Sequence, residues 1–172
     1  TYYLLEFPLF NIIVAFLYSI FGVQEIIGRF VSILSFTISS FFLYSISKHL
    51  FNKRVGLISI FFFNVFPIGI LVSRAFLPDN LMLLLQLISF WLALKLYQRF
   101  DTKTFLVLLL SIPLTILAKL QGFFILIPII FLLLSGKEDL RKKFLYVLLV
   151  GISLLVPLAW YLHVIRVTLQ YT

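Results

Sequence analysis

The run "FLVLLLSIPLTILAKLQGFFILIPIIFLLL", residues 105–134, decides the topology of the chain, because it is long, almost wholly apolar, and carries Lys119 near its centre. As a single α-helix its roughly 30 residues would rise about 45 Å, against a hydrocarbon thickness of about 30 Å. A lysine at the middle of such a span is costly unless its ammonium reaches water or a partner. The run is therefore either one strongly tilted helix or two short crossings that meet at Lys119, with Pro113 and Gly122 nearby to permit a break.

Working outward, the remaining chain is of the same kind. Hydrophobic residues make up 63% of the 172 positions, 21 of which are Phe, and only 12% are charged; the mean hydropathy is +1.17. That is more apolar surface than a soluble core of this size can bury, so the chain reads as an all-α, polytopic transmembrane helix bundle. Further apolar runs lie at about Gly28 to Leu50, Val55 to Val72, Leu81 to Lys95 and Phe144 to His163. With residues 105–134 counted as two, about six crossings are expected. Residues 1–27 read as the remnant of a first external loop with a juxtamembrane helix, and residues 28–172 as part of a larger transmembrane domain. The start, "TYYLLEFPLF", has neither an initiating Met nor the basic region of a signal peptide, and suggests a fragment. There is no Cys, which excludes disulfides and thiolate chemistry.

Charge supports the two-crossing reading. Most of the 14 Lys and Arg fall in three short loops: Lys48, Lys53 and Arg54; Lys95, Arg99 and Lys103; and Lys137, Arg141, Lys142 and Lys143. Only if the chain turns back at Lys119 do all three share one side, which the positive-inside rule makes cytoplasmic. The net charge of +8 is thereby explained by topology, and nucleic acid is not an expected partner. No G-x-G-x-x-G or P-loop is present. The cations left over, Arg29, Arg74, Lys119 and Arg166, then lie at the opposite ends of the spans, with Glu6, Glu25, Asp79 and His163. Taken singly, each has a plain reading as cap, snorkelling side chain or ion pair. Taken together, they are what a site handling an anionic, lipid-linked substrate requires.

The order of landmarks carries a resemblance. Glu6 and Pro8-Leu9 in "LLEFPLF", then "GRFVS", "LFNKRVG", "SRAFLPDN", "ILAKLQGFF" and "VPLAWYLHV" follow one another as in the dolichyl-phosphate-mannose protein mannosyltransferase superfamily, with its aminoarabinose lipid A transferase relatives. The resemblance spans nearly the whole chain, although Phe7 stands where many members have Lys or Pro. It implies the GT-C fold and transfer of a sugar from a polyprenyl (dolichyl or undecaprenyl) phosphate to a protein, lipid or glycan acceptor outside the cytoplasm. The enzyme would sit in the cell membrane, or in the ER membrane of a eukaryote. The family's catalytic Asp lies upstream of the first residue given, so the fragment alone is expected to be inactive.

The same resemblance implies roles for individual residues. Asp79 and Glu6 are the candidate catalytic carboxylates. Lys119 and Arg74 are the candidate ligands of the donor phosphate. Glu6 and His163 are candidate ligands of a divalent metal ion. Each also has a structural reading: Asp79 as the N-cap of the following helix, Arg74 and Lys119 as snorkelling cations, Glu6 as an exposed loop acid, and His163 as a member of an aromatic belt with Trp160 and Tyr161. Arg29 and Glu25, spaced i, i+4, read as an ion pair at a helix end. The rival functions are a secondary transporter or flippase, whose charges would line a path at the midplane, and a noncatalytic scaffold of a glycan assembly complex.

Overall fold

A computed structural model describes residues 6–135 and 140–170; Lys137 of the third basic cluster lies outside them. Every regular element is helical: α1 (Leu9–Phe21), α2 (Glu25–Leu50), α3 (Lys53–Val65), α4 (Pro67–Ser73), α5 (Asp79–Gln98), α6 (Thr102–Ala118), a 3₁₀ turn (Leu120–Ile125), α7 (Leu126–Ser135) and α8 (Leu140–Gln170).

The long apolar run does break at Lys119. Helix α6 stops at Ala118, and Lys119 takes an extended backbone, φ −164° and ψ 141°, before the 3₁₀ turn begins. Gly122 allows this. A Cβ there would stand 2.2 Å from the Thr115 carbonyl oxygen, so only a residue without a side chain lets the turn fold back against the last turn of α6. Pro113, by contrast, sits inside α6 without ending it.

A second break was not visible as a charge. Between Val55 and Val72 the chain bends by 64°, where α3 gives way to α4. Pro67 lacks the N–H that would continue the helix and holds Phe66 in an extended conformation, φ −63° and ψ 120°.

Among the described residues, α2, α5 and α8 are each long and apolar enough to cross a bilayer, and the bent pair α3–α4 makes a fourth span if its two arms are counted as one. That is fewer than the six crossings expected. The difference lies in the broken run, whose arms are Thr102–Ala118 and Leu120–Ser135. The first, of 17 residues, rises roughly 26 Å, short of a full hydrocarbon layer.

Helix α5 is the axis of the bundle. Its Leu92 and Leu96 share one core with Ile112 of α6, Ile129 of α7 and Tyr146 and Leu149 of α8. A smaller core joins Phe10 and Val14 of α1 to Val31 of α2 and Leu81 of α5. The outer surface is apolar instead: Phe131, Leu71 and Phe62 are 73%, 72% and 65% exposed, as lipid-facing side chains are.

Contacts sort the helix ends into two groups. At one end, the His49 ring of α2 meets the Gln98 amide of α5, and Phe100 packs beside Tyr146 of α8 at 6.4 Å between centroids. The described members of all three basic clusters gather there. At the other end, Ser32 Oγ donates to the Leu77 carbonyl and Tyr161 Oη to the Ile116 carbonyl. The turn at Lys119 belongs to this second end, so α6 and α7 run in opposite directions.

Candidate functional site

The segment "SRAFLPDN" is held from three sides. Asn80, buried at the start of α5, donates its amide to the Val72 carbonyl at 3.0 Å and so ties α5 to the end of α4. Ser32 of α2, fully buried, holds the Leu77 carbonyl at 3.0 Å. Phe76 lies over Gly28 of α2, where a Cβ would meet the ring at 1.8 Å, and it packs edge-on against Phe10 of α1. A rigid loop thus delivers Asp79 to the end of the bundle.

Asp79 is not the N-cap that its position after Pro78 suggested. Pro78 occupies the cap, no side chain caps the helix, and Asp79 is the first residue of α5. Its carboxylate goes to Lys119 instead, with Nζ donating to Oδ1 at 2.7 Å. The pair is half-buried, the lysine side chain 21% exposed and the aspartate 33%. Both charges suit the backbone ends that carry them: the acid lies in the first turn of α5, the positive end of its dipole, and the ammonium follows the last turn of α6, the negative end of that helix.

Glu6 is exposed and lines a groove of about 450 Å³ with Leu120, Gln121, Phe123 and Phe124, the residues that follow Lys119. The groove has an apolar floor, an acid at its edge, and the ion pair beside its first residue. Phe7 packs edge-on against Trp160 of α8 at 4.9 Å, which anchors the Glu6 segment.

Arg74 is exposed and ends α4, and its side chain makes no hydrogen bond or ion pair with another described residue. It does not hold Asp79, because Lys119 does. His163 is exposed, its ring 6.1 Å from that of Trp160, in the manner of an aromatic belt. Among the described residues no group of three or more His, Asp and Glu is arranged to hold a metal ion. Glu25 and Arg29 form the expected exposed pair at 2.6 Å. Sequence reasoning did not pick out Asn80, Ser32 and Gly28, although Gly28 and Ser32 stand in the "GRFVS" stretch that carried part of the resemblance.

Comparison with protein families decides the class. The family described as dolichyl-phosphate-mannose-protein mannosyltransferase matches residues 6–161. The chain belongs to this family. It is thus a membrane glycosyltransferase sequence of the GT-C type, and its helix bundle is read in that light. Neither the curated proteins nor the solved structures contain a match to it. The matched stretch includes Glu6, Arg74, Asp79 and Lys119, and it ends before His163.

Proposed function

We propose that the Lys119 end of the bundle handles the donor of a glycosyl transfer in which a sugar passes from a polyprenyl phosphate to an extracytoplasmic acceptor, a protein, lipid or glycan. The observation that carries this reading is the Lys119–Asp79 pair, whose lysine directly precedes the Leu120–Phe124 stretch that lines the Glu6 groove. A charged pair on an apolar bundle suits a ligand with a phosphate on a hydrocarbon tail.

In this reading the donor phosphate takes Lys119 from Asp79, and Arg74 adds its planar fork. The bond between the sugar's anomeric carbon and the phosphate oxygen breaks, and its electron pair stays on that oxygen. Lys119 stabilises the charge that develops there. The acceptor hydroxyl attacks the anomeric carbon from the opposite face and gives its proton to a carboxylate. The family resemblance assigns that base to the Asp upstream of the first residue given, with Glu6 at the groove's acidic edge and Asp79, once released from Lys119, in supporting roles. The groove floor of Leu120, Phe123 and Phe124 accommodates the first isoprene units. Gathering of the basic loops at the far end supports an extracytoplasmic orientation for the site, in a cell or ER membrane.

The test is transfer of label from a radiolabelled polyprenyl-phosphate sugar in membranes carrying the whole protein, with Asp79→Asn and Lys119→Met at matched expression. Each variant should lose about 10²- to 10³-fold in rate, the range for removing one electrostatic group from a reacting centre. Undiminished transfer by both variants, or none by wild type from any carrier tried, would sink the reading.

A further inference from the structure

At the end of the bundle opposite Asp79, a cleft opens between α2 and α5. Its inner part, about 120 Å³, lies between Ser45 and His49 of α2 and Trp91, Lys95 and Gln98 of α5. Its outer part, about 480 Å³, runs along α2 past Phe41, Tyr44 and Lys48, and shares Ser45 and His49 with the inner one.

The two lysines are held over aromatic rings: Lys95 Nζ is 3.6 Å from the Trp91 centroid, and Lys48 Nζ is 5.9 Å from that of Tyr44. Neither forms an ion pair with a carboxylate among the described residues. A ring face positions an ammonium without cancelling its charge. Both lysines sit in last helical turns, where the dipole offsets only about half a charge. The cleft thus keeps a net positive field; the Ser45 hydroxyl already donates to the Phe41 carbonyl at 2.9 Å, and the Gln98 amide, which meets the His49 ring, keeps its second N–H as a neutral donor. A topological bias toward basic loops explains the presence of lysines at this end; it does not require two of them to border one cleft on aromatic supports.

The surface leading into the cleft is apolar. Phe30, Leu34, Ile38 and Phe41 recur at helical spacing on the outer face of α2 and are 59%, 46%, 37% and 62% exposed. From Phe30 to Phe41 the helix rises roughly 16 Å, close to the depth of one leaflet of a bilayer about 30 Å thick. A soluble anion would have no use for that stripe, whereas an acyl chain would.

We propose that this cleft binds the headgroup of an anionic phospholipid. Its phosphate lies between Lys48 and Lys95, within reach of the Gln98 amide, and one acyl chain lies along Phe41, Ile38 and Leu34.

Trp91 reports directly, because it lies under Lys95. In the whole protein with every tryptophan except Trp91 changed to Phe, Trp160 included, Trp91 is the sole emitter, and its emission can be titrated in neutral detergent with phosphatidylglycerol, phosphatidylcholine or inorganic phosphate. Phosphatidylglycerol should give a saturable change whose midpoint rises about fivefold for Lys48→Gln and again for Lys95→Gln, at the usual strength of one basic residue near an anionic lipid. Lys103→Gln, which removes the same charge at the same end but outside the cleft, should leave the midpoint unchanged. Lys48→Arg should keep it near the wild-type value, which separates loss of charge from misfolding. An equal response to phosphatidylcholine overturns the proposal. So does a response to inorganic phosphate at the same concentration, which would make the cleft a site for a free anion. A Lys103→Gln effect as large as that of Lys48→Gln also overturns it, since surface charge alone would then suffice.

Discussion

Lys119 Nζ and Asp79 Oδ1 lie 2.7 Å apart although 40 residues separate them in the chain. The contact joins the two features that stood out from the apolar background, a lysine inside a long hydrophobic run and an acid after a proline. Each is the other's solution: half-buried, neither charge has full access to water, and each lies where a helix end favours it.

Removing one partner therefore leaves the other unpaired in a poorly solvated place. Asp79→Asn or Lys119→Met alone should destabilise the protein by about 1–3 kcal/mol, below the cost for a fully buried pair because both side chains remain partly exposed. The double variant should recover about 1 kcal/mol of the summed loss. Thermal unfolding of the four proteins in one detergent checks this, and strict additivity would mean the pair is geometric only.

How much of this was legible in the sequence depends on what marks a break. The turn at Lys119 was legible because a charge interrupts the apolar run there, and the grouping of basic loops followed from it. The bend at Pro67 was not: "VFPIGI" is apolar on both sides, and hydropathy does not register a change of direction. Pro113 and Gly122 both looked like breakers, yet the helix runs through Pro113, and the fold uses Gly122 for close approach. Asp79 looked like a helix cap because capping is a local pattern, whereas its partner comes from a turn that only the fold brings near. Arg74 and His163 look in sequence like any interfacial residues, and no spacing rule shows that the Asp79 carboxylate bonds to Lys119 and not to Arg74.

The close approach at Gly122 gives a sharp contrast with Gly28. A Cβ at Gly122 would strike backbone, the Thr115 carbonyl, whereas one at Gly28 would strike the Phe76 ring, which is 39% exposed and can swing. Gly122→Ala should cost about 1–3 kcal/mol, as overpacking does, and should also shift the Lys119 backbone and lower transfer. Gly28→Ala should cost less. The comparison is read from unfolding midpoints and transfer rates, and a milder Gly122 variant would contradict the packing of the 3₁₀ turn on α6.

At the opposite end, Asp101 caps α6 by accepting the Thr104 N–H and Thr104 Oγ1, each at 3.0 Å. The backbone hydrogen bond from Thr104 is the first cause that holds its carboxyl below the ordinary value of 3.8. Because the folded value is depressed, its stabilisation is present above 3.8 and is lost as the pH falls through the lower folded value. Asn also caps but does not titrate, so Asp101→Asn should match wild type near neutrality and become the more stable of the two in acid. Melting temperatures of both proteins down an acid series test the sign.

Ser89 tests how the bundle tolerates polar groups in its centre. Its hydroxyl is fully buried, donates to the Leu85 carbonyl at 2.8 Å, and lies 3.0 Å from Ser111 Oγ and 3.2 Å from Thr115 Oγ1, which stitches α5 to α6. Both neighbours also have carbonyls of their own helix, Leu108 for Ser111 and Ser111 for Thr115, at 3.2 and 2.8 Å. Ser89→Ala therefore strands no donor, and its cost should be small, about 0.6 kcal/mol, the average for interhelical hydrogen bonds in a membrane bundle. Ser89→Val adds bulk where the side chain has no exposure, and should cost about 1–3 kcal/mol by forcing α5 and α6 apart. If the alanine variant proves the worse of the two in thermal unfolding, hydrogen bonding and not close packing joins these helices.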